Sequence, residues 1–118
     1  MNGRLTTHVL DTANGIPAEG ITIELFQISG ATRTLLKSAV TNHDGRIDSP
    51  LLEAQGMQVA TYELVFHTAA YFTAKGNAVT EPPFLDFIPI RFSVADADAH
   101  HHVPLLVSPW AYSTYRGS

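Results

Sequence analysis

The sequence predicts an all-β domain: a two-sheet Greek-key β-sandwich of seven to eight strands with one short helix. Three observations predict it. Apolar and polar residues alternate with period two through most of the chain. Turn-forming residues recur about every ten positions, and a single segment near residue 70 carries the residues and end signals of a helix. With 118 residues the chain is expected to be one domain over residues 1–118, large enough to close a single core without disulfides. No linker, internal repeat or low-complexity stretch divides it.

Residues 5–11 read as the first strand, with Leu5, Thr7 and Val9 on one face and Thr6, His8 and Leu10 on the other. Asn14-Gly15-Ile16-Pro17 then supplies turn chemistry. Residues 21–28 alternate again, setting Ile21, Ile23 and Leu25 against Thr22, Glu24 and Phe26, and stop at Ser29-Gly30. Residues 32–41 form a third strand, closed by Asn42-His43-Asp44-Gly45, whose Asp-Gly pair tolerates the positive φ of a tight turn. Residues 59–67 place Tyr62, Leu64 and Phe66 on one face. Thr68 stands where it can cap a helix over residues 69–75, which ends on Lys75 and then Gly76. In residues 87–94, Ile88, Ile90, Phe92 and Val94 oppose Pro89, Arg91 and Ser93. A proline has no N–H for a ladder, so Pro89 points to an edge strand or a bulge. Ala95-Asp96-Ala97-Asp98 makes a turn, residues 101–108 form the next strand, Pro109 interrupts it, and residues 112–118 form a short last one.

Composition excludes several functions. Seven basic against eleven acidic residues, with no basic run, give phosphates no electrostatic footprint, so no nucleic-acid partner is expected. No apolar run approaches a membrane span, the N-terminus lacks an apolar signal core and the C-terminus is not Ser-Lys-Leu; a cytoplasmic protein with no membrane partner is expected. The absence of cysteine removes disulfides, thiolate metal sites and cysteine nucleophiles, so chemistry near neutral pH falls to the six histidines. Charged residues make up 15% of the chain, against roughly 25% in a typical soluble domain, which points to surface buried between subunits.

Taken singly, His8 reads as a half-buried strand histidine bonded to a neighbour, and Arg46 as a solvated arginine after a turn. The run His100-His101-His102 suggests a metal, but strand alternation sends His101 to the opposite face and leaves two imidazoles, fewer than the three protein ligands zinc usually takes. No metal and no cofactor are therefore expected. Gly-x-Ser-x-Gly elbows, phosphate loops and dinucleotide fingerprints are all missing.

Four stretches carry a specific resemblance. Leu5-Thr6-Thr7-His8-Val9-Leu10-Asp11-Thr12 with Gly15-Ile16-Pro17-Ala18 is one, and Thr41-Asn42-His43-Asp44-Gly45-Arg46 another. The others are His102-Val103-Pro104-Leu105-Leu106-Val107-Ser108-Pro109 and the terminal Tyr112-Ser113-Thr114-Tyr115-Arg116-Gly117-Ser118. Together they resemble the 5-hydroxyisourate-hydrolysing branch of the transthyretin-related family, over essentially the whole chain. The Tyr-Arg-Gly-Ser ending separates those enzymes from the hormone carrier transthyretin. The resemblance implies a transthyretin-like (prealbumin-like) sandwich that assembles as a homotetramer with active sites in the channel between dimers. It also implies residue roles: His8 and His102 flank the substrate, Arg46 binds it, and Tyr115, Arg116, Gly117 and Ser118 close the pocket. The implied reaction opens the ring of 5-hydroxyisourate at its cyclic amide, giving 2-oxo-4-hydroxy-4-carboxy-5-ureidoimidazoline in urate catabolism. The alternative is a non-catalytic carrier of a small aromatic ligand. The sequence departs from the family at His101, where tyrosine is common, and at Ala111, where glycine is.

The residue types suit that reaction on their own terms. Imidazole, with an unperturbed pKa of about 6.5, accepts a proton from an attacking water. A guanidinium stays charged, donates two parallel hydrogen bonds and opposes an oxyanion. His102 is expected as the general base and His8 as the group orienting the water or the leaving nitrogen.

Overall fold

The computed structural model describes residues 2–117, and its strands follow the alternation of the sequence. In chain order they are β1 (Arg4–Thr6), β2 (Val9–Asp11), β3 (Ile16–Pro17), β4 (Thr22–Ser29), β5 (Thr32–Val40) and β6 (Leu52–Glu53). A 3-10 turn (Ala54–Gly56), β7 (Ala60–His67), helix α1 (Ala69–Ala74), β8 (Phe87–Val94), β9 (His100–His102), β10 (Leu105–Val107) and β11 (Tyr112–Thr114) follow. One sheet is antiparallel in the order β5-β4-β7-β8, which puts Pro89 on an edge strand where no ladder bond needs its missing N–H.

The other layer is built from two short sheets, β6-β1-β9 and β11-β10-β2-β3. They are continuous. Thr6 pairs with His102 and Val9 with Leu105, the same parallel offset on either side of a gap. Two backbone bonds carry the ladder across it, Val103 N–H to the Thr6 carbonyl at 3.0 Å and Leu105 N–H to the His8 carbonyl at 2.9 Å. Pro104 stands between these two donors, where the parallel pattern asks nothing of its nitrogen, and its carbonyl accepts the Thr114 hydroxyl at 2.7 Å.

Several details differ from the expectation. Residues 5–11 and 101–108 are each divided in two, at Thr7-His8 and at Val103-Pro104. At the first division Val9 N–H turns to the Gly45 carbonyl at 2.8 Å, so the strand meets a turn there. The two-residue strands β3 and β6 are too short to show a period. The last strand stops at Thr114 and rejoins the sheet through a single bridge between Gly117 and His102; Ser118 lies outside the described residues. Thr68 occupies the N-cap of α1, but its hydroxyl donates to the Asp86 carbonyl at 2.8 Å and caps nothing in the helix. Phe26 keeps the outward face expected of it, opposite Glu63 of β7 and outside the core, yet it is buried there, with the Arg33 guanidinium 3.9 Å over its ring.

The core lies between the layers. Leu5, Val9, Leu105 and Val107 face Ile23, Leu25, Tyr62, Leu64, Phe66 and Ile88, all fully or almost fully buried. Each such side chain contributes about 1.5–3 kcal/mol by leaving water. Helix α1 closes one end by burying Tyr71 and Phe72.

Tyr71 also ties the helix to β2. Its hydroxyl donates to the buried Asp11 carboxylate at 2.7 Å, which accepts three more bonds from the Ala13 N–H, the Asn14 N–H and the Asn14 side chain. Burial alone would push the Asp11 carboxyl up; the bonds from Asn14, Tyr71 and Ala13 outweigh it and hold the group below its ordinary value. Burial, then the bond and charge of Asp11, push the Tyr71 phenol up. Tyr71→Phe is expected to lower stability by about 1.5–3 kcal/mol in urea unfolding at neutral pH, the range for a hydrogen bond to a charged group. A depressed carboxyl stabilises the fold above its unfolded value of 3.8, so the gap between variant and parent narrows as pH falls below that value.

Candidate active site

The parallel pairing of β1 with β9 decides which side chains meet. Leu5 and His101 are opposite each other and both are buried on the core side, so Arg4, Thr6, His100 and His102 share the outer face. His101 is thus separated from its two neighbours, as alternation requires. The Thr6 hydroxyl lies 2.7 Å from His100 Nε2 and 2.9 Å from His102 Nδ1. On the other side of His102, Gly117 N–H donates to the His102 carbonyl at 2.8 Å. A Cβ at Gly117 would stand 2.6 Å from His102 Cδ2, so the chain passes this imidazole at a distance that only glycine allows.

Arg46 arrives on a turn that the sequence closes locally. Asn42 accepts the N–H groups of Asp44 and Arg46 on its side-chain oxygen at 2.9 and 3.1 Å, and its own N–H donates to the Arg46 carbonyl at 2.7 Å. Gly45 takes the left-handed φ of +76° expected for the Asp-Gly pair. The turn is clasped to the strand from two sides, by Val9 N–H on the Gly45 carbonyl and by His8 Nε2 on the Asp44 carbonyl at 2.9 Å. A carbonyl only accepts, so His8 carries its proton on Nε2 and spends it on the turn.

Arg4, Thr6, Arg46, Ser49, His100 and His102 line a cavity of about 380 Å³; His8 is not part of its wall, and among the described residues no carboxylate is. Among the described residues Arg46 forms no ion pair. Burial, and then the Arg46 charge, lower the pKa of both His8 and His102; His100 and His8 lower His102 further. Both imidazoles are therefore neutral at pH 7, with a lone pair available on each ring. The cavity can hold a small, carbonyl-rich or anionic heterocycle between a guanidinium and a neutral imidazole.

Of the residues singled out in the sequence, the structure brings His8, Arg46, His102 and Gly117 together. Tyr115 and Arg116 line a second cavity, of about 350 Å³, with Ile90, Phe92 and His101. Ser118 lies outside the described residues. Thr6, His100, Arg4 and Ser49 were not anticipated in the site. Thr6 shares a strand face with His8, which is a signal, but its meeting with two histidines almost a hundred residues away depends on strand register. Among the described residues no group of three histidine, cysteine, aspartate or glutamate side chains is placed to hold a metal ion. No helix among them is long and apolar enough to cross a membrane.

The profile of the HIUase/Transthyretin family matches residues 5–117. This chain belongs to that family. Within it, the chain is 56% identical over 117 residues to a protein of Rhizobium meliloti named 5-hydroxyisourate hydrolase 2, an alignment covering 99% of this chain and 98% of that one. The crystal structure of an (S)-allantoin synthase superposes with a TM-score of 0.94 at 48% identity, covering 99% of this chain and 44% of that longer one. Sea bream transthyretin in complex with thyroxine superposes with a TM-score of 0.86 at 27% identity, over 97% of this chain and 94% of that one. The family's two-sheet fold is the one the alternation predicted, and in sequence this chain is far more similar to that hydrolase than to that transthyretin.

The electrostatics of the site are open to direct measurement. In an NMR titration His8 and His102 are both expected to protonate below 6.5. Arg46→Gln removes a repelling cation, so the His102 midpoint is expected to move upward; an unchanged midpoint would place the guanidinium too far away to matter.

Proposed function

We propose that this chain, as one domain over residues 1–118, hydrolyses 5-hydroxyisourate at its cyclic amide to give 2-oxo-4-hydroxy-4-carboxy-5-ureidoimidazoline. The observation that carries this reading is a neutral imidazole, His102, sharing one cavity with a guanidinium, Arg46, that forms no ion pair among the described residues, in a chain 56% identical to a hydrolase of that name. A carrier of apolar ligands gains nothing from placing such groups where its ligand lies.

The chemistry follows from these groups. A water in the cavity gives its proton to His102 as its oxygen bonds to the amide carbonyl carbon, and the carbonyl oxygen becomes an oxyanion. The Arg46 guanidinium, donating from its planar fork, stabilises that developing charge. The C–N bond then breaks, and the nitrogen takes the proton back from His102. The new acid ionises to a carboxylate, and no redox step is involved. His8 contributes by holding the turn: its Nε2 proton is engaged by the Asp44 carbonyl, and Arg46 lies two residues further on. His102 is accordingly the better candidate for the base.

The decisive assay generates 5-hydroxyisourate from urate and follows its ultraviolet absorbance with and without the protein. Faster decay with the protein is expected, and decay at the buffer rate refutes the reading. His102→Asn is expected to lower turnover by about a hundredfold or more while leaving the melting temperature nearly unchanged. Because the base works in its neutral form and its pKa is lowered, the rate is expected to be level at and above pH 7 and to fall on an acid limb lying below 6.5.

The assembly in this reading is a homotetramer in the cytoplasm. Exposed Phe87 on the β8 edge, Tyr112 on the β11 edge and Trp110 beside it leave apolar surface of the kind a partner copy covers. Light scattering is expected to return four times the chain mass at working concentration; the mass of one chain would refute the tetramer.

A further inference from the structure

The run His100-His101-His102 contributes one residue to the proposed reaction and leaves His100 without a role. His100 nevertheless shares the Thr6 hydroxyl with His102, at 2.7 Å from its Nε2 and 2.9 Å from His102 Nδ1. A hydroxyl has one proton to donate. Its oxygen can accept from either ring, and in the arrangement that uses the proton within the described residues one of these ring nitrogens accepts it and the other donates its own N–H to the oxygen. We propose that Thr6 and His100 are positioning residues for the hydrolysis: Thr6 donates its proton to His100 Nε2 and accepts the Nδ1 proton of His102, which holds the His102 lone pair on Nε2.

The proposal deepens the reading of His102 as the base and rests on it. In the reverse arrangement the Thr6 proton would occupy His102 Nδ1, placing the ring's own proton on Nε2 and leaving no lone pair there to receive a proton from water. In the proposed arrangement Nε2 gains a proton as water attacks and loses it to the departing nitrogen. The Nδ1 proton stays on its nitrogen throughout, facing an oxygen that can accept from imidazolium as well as from neutral imidazole. Thr6 has no other hydrogen-bond partner among the described residues, so no backbone group competes for its hydroxyl. Among the described residues the charged and titratable neighbours of the pair are Arg4 and His101 beside His100, and Arg46 and His8 beside His102. Burial, and then these charges, lower the pKa of both rings and keep them neutral, which the shared hydroxyl requires.

The test reads the tautomers directly. Nitrogen-15 NMR of the ligand-free protein at neutral pH is expected to show His102 protonated on Nδ1 and bare on Nε2, and His100 likewise protonated on Nδ1. Thr6→Val keeps the shape of the side chain and removes the hydroxyl; it is expected to mix the His102 tautomers and lower kcat about tenfold or more with KM nearly unchanged. Thr6→Ser restores both. His100→Phe, which removes the acceptor and leaves Thr6 in place, is expected to reproduce the Thr6→Val effect. A proton on His102 Nε2 in the fully active parent protein overturns the positioning and leaves the hydrolase intact, as does unchanged kcat in either folded variant. A parent protein with the expected tautomers that leaves 5-hydroxyisourate untouched overturns the hydrolase and retains the hydrogen-bond assignment.

Discussion

The parallel register between residues 4–11 and residues 100–107 is the constraint on which the rest of the molecule depends. Because the side-chain period of a strand is two and paired residues share a face, a slip of one residue would set Leu5 opposite His100 or His102, so that either these imidazoles enter the core with Leu5 or Leu5 is turned outward with them. The hydrophobic cost of exposing Leu5, Val9, Leu105 and Val107 opposes that slip, so core packing is what brings the polar residues of two distant segments to one outer face. Stability and function are in this way assigned to opposite faces of the same strands.

A second consequence of the pairing is the gap between β1 and β2. Where the strand is interrupted at Thr7-His8, the turn of residues 42–46 docks onto Val9 and His8 and delivers Arg46 to the rim of the cavity. Gly45 and Gly117 serve the same end from opposite directions, one by adopting a positive φ against β2 and the other by letting the chain pass beside the His102 ring. The site is thus assembled from four stretches of chain, around Thr6, Arg46, His102 and Gly117, and each is held by main-chain bonds before any substrate is considered.

The electrostatic character of the cavity follows from what is absent from its wall as much as from what is present. Among the described residues Arg4 and Arg46 line it and no carboxylate does, so burial and then these charges disfavour imidazolium, and a guest with negative or developing negative charge is favoured. A carboxylate placed there would hold Arg46 in an ion pair and raise the imidazoles, removing both properties together. The buried acid of this region, Asp11, is instead consumed by Tyr71, Ala13 and Asn14 on the core side of the sheet.

Much of this was legible in the sequence by itself. Alternation assigned the faces of residues 5–11, 21–25 and 62–66 correctly, separated His101 from His100 and His102, put Pro89 on an edge and gave Gly45 its positive φ. All of these follow from the covalent geometry of a single strand or turn. The resemblance supplied His8, Arg46 and His102 as a group, which no local pattern could. Only the tertiary structure decided that Thr6 joins them, that the proton on His8 Nε2 is spent on the Asp44 carbonyl, that Tyr115 and Arg116 border a different cavity, and that Gly117 abuts His102. The physical reason is register. Which residue of one strand stands opposite which residue of another is set by the summed packing of the whole sandwich, a non-local quantity that the period of any one segment does not contain.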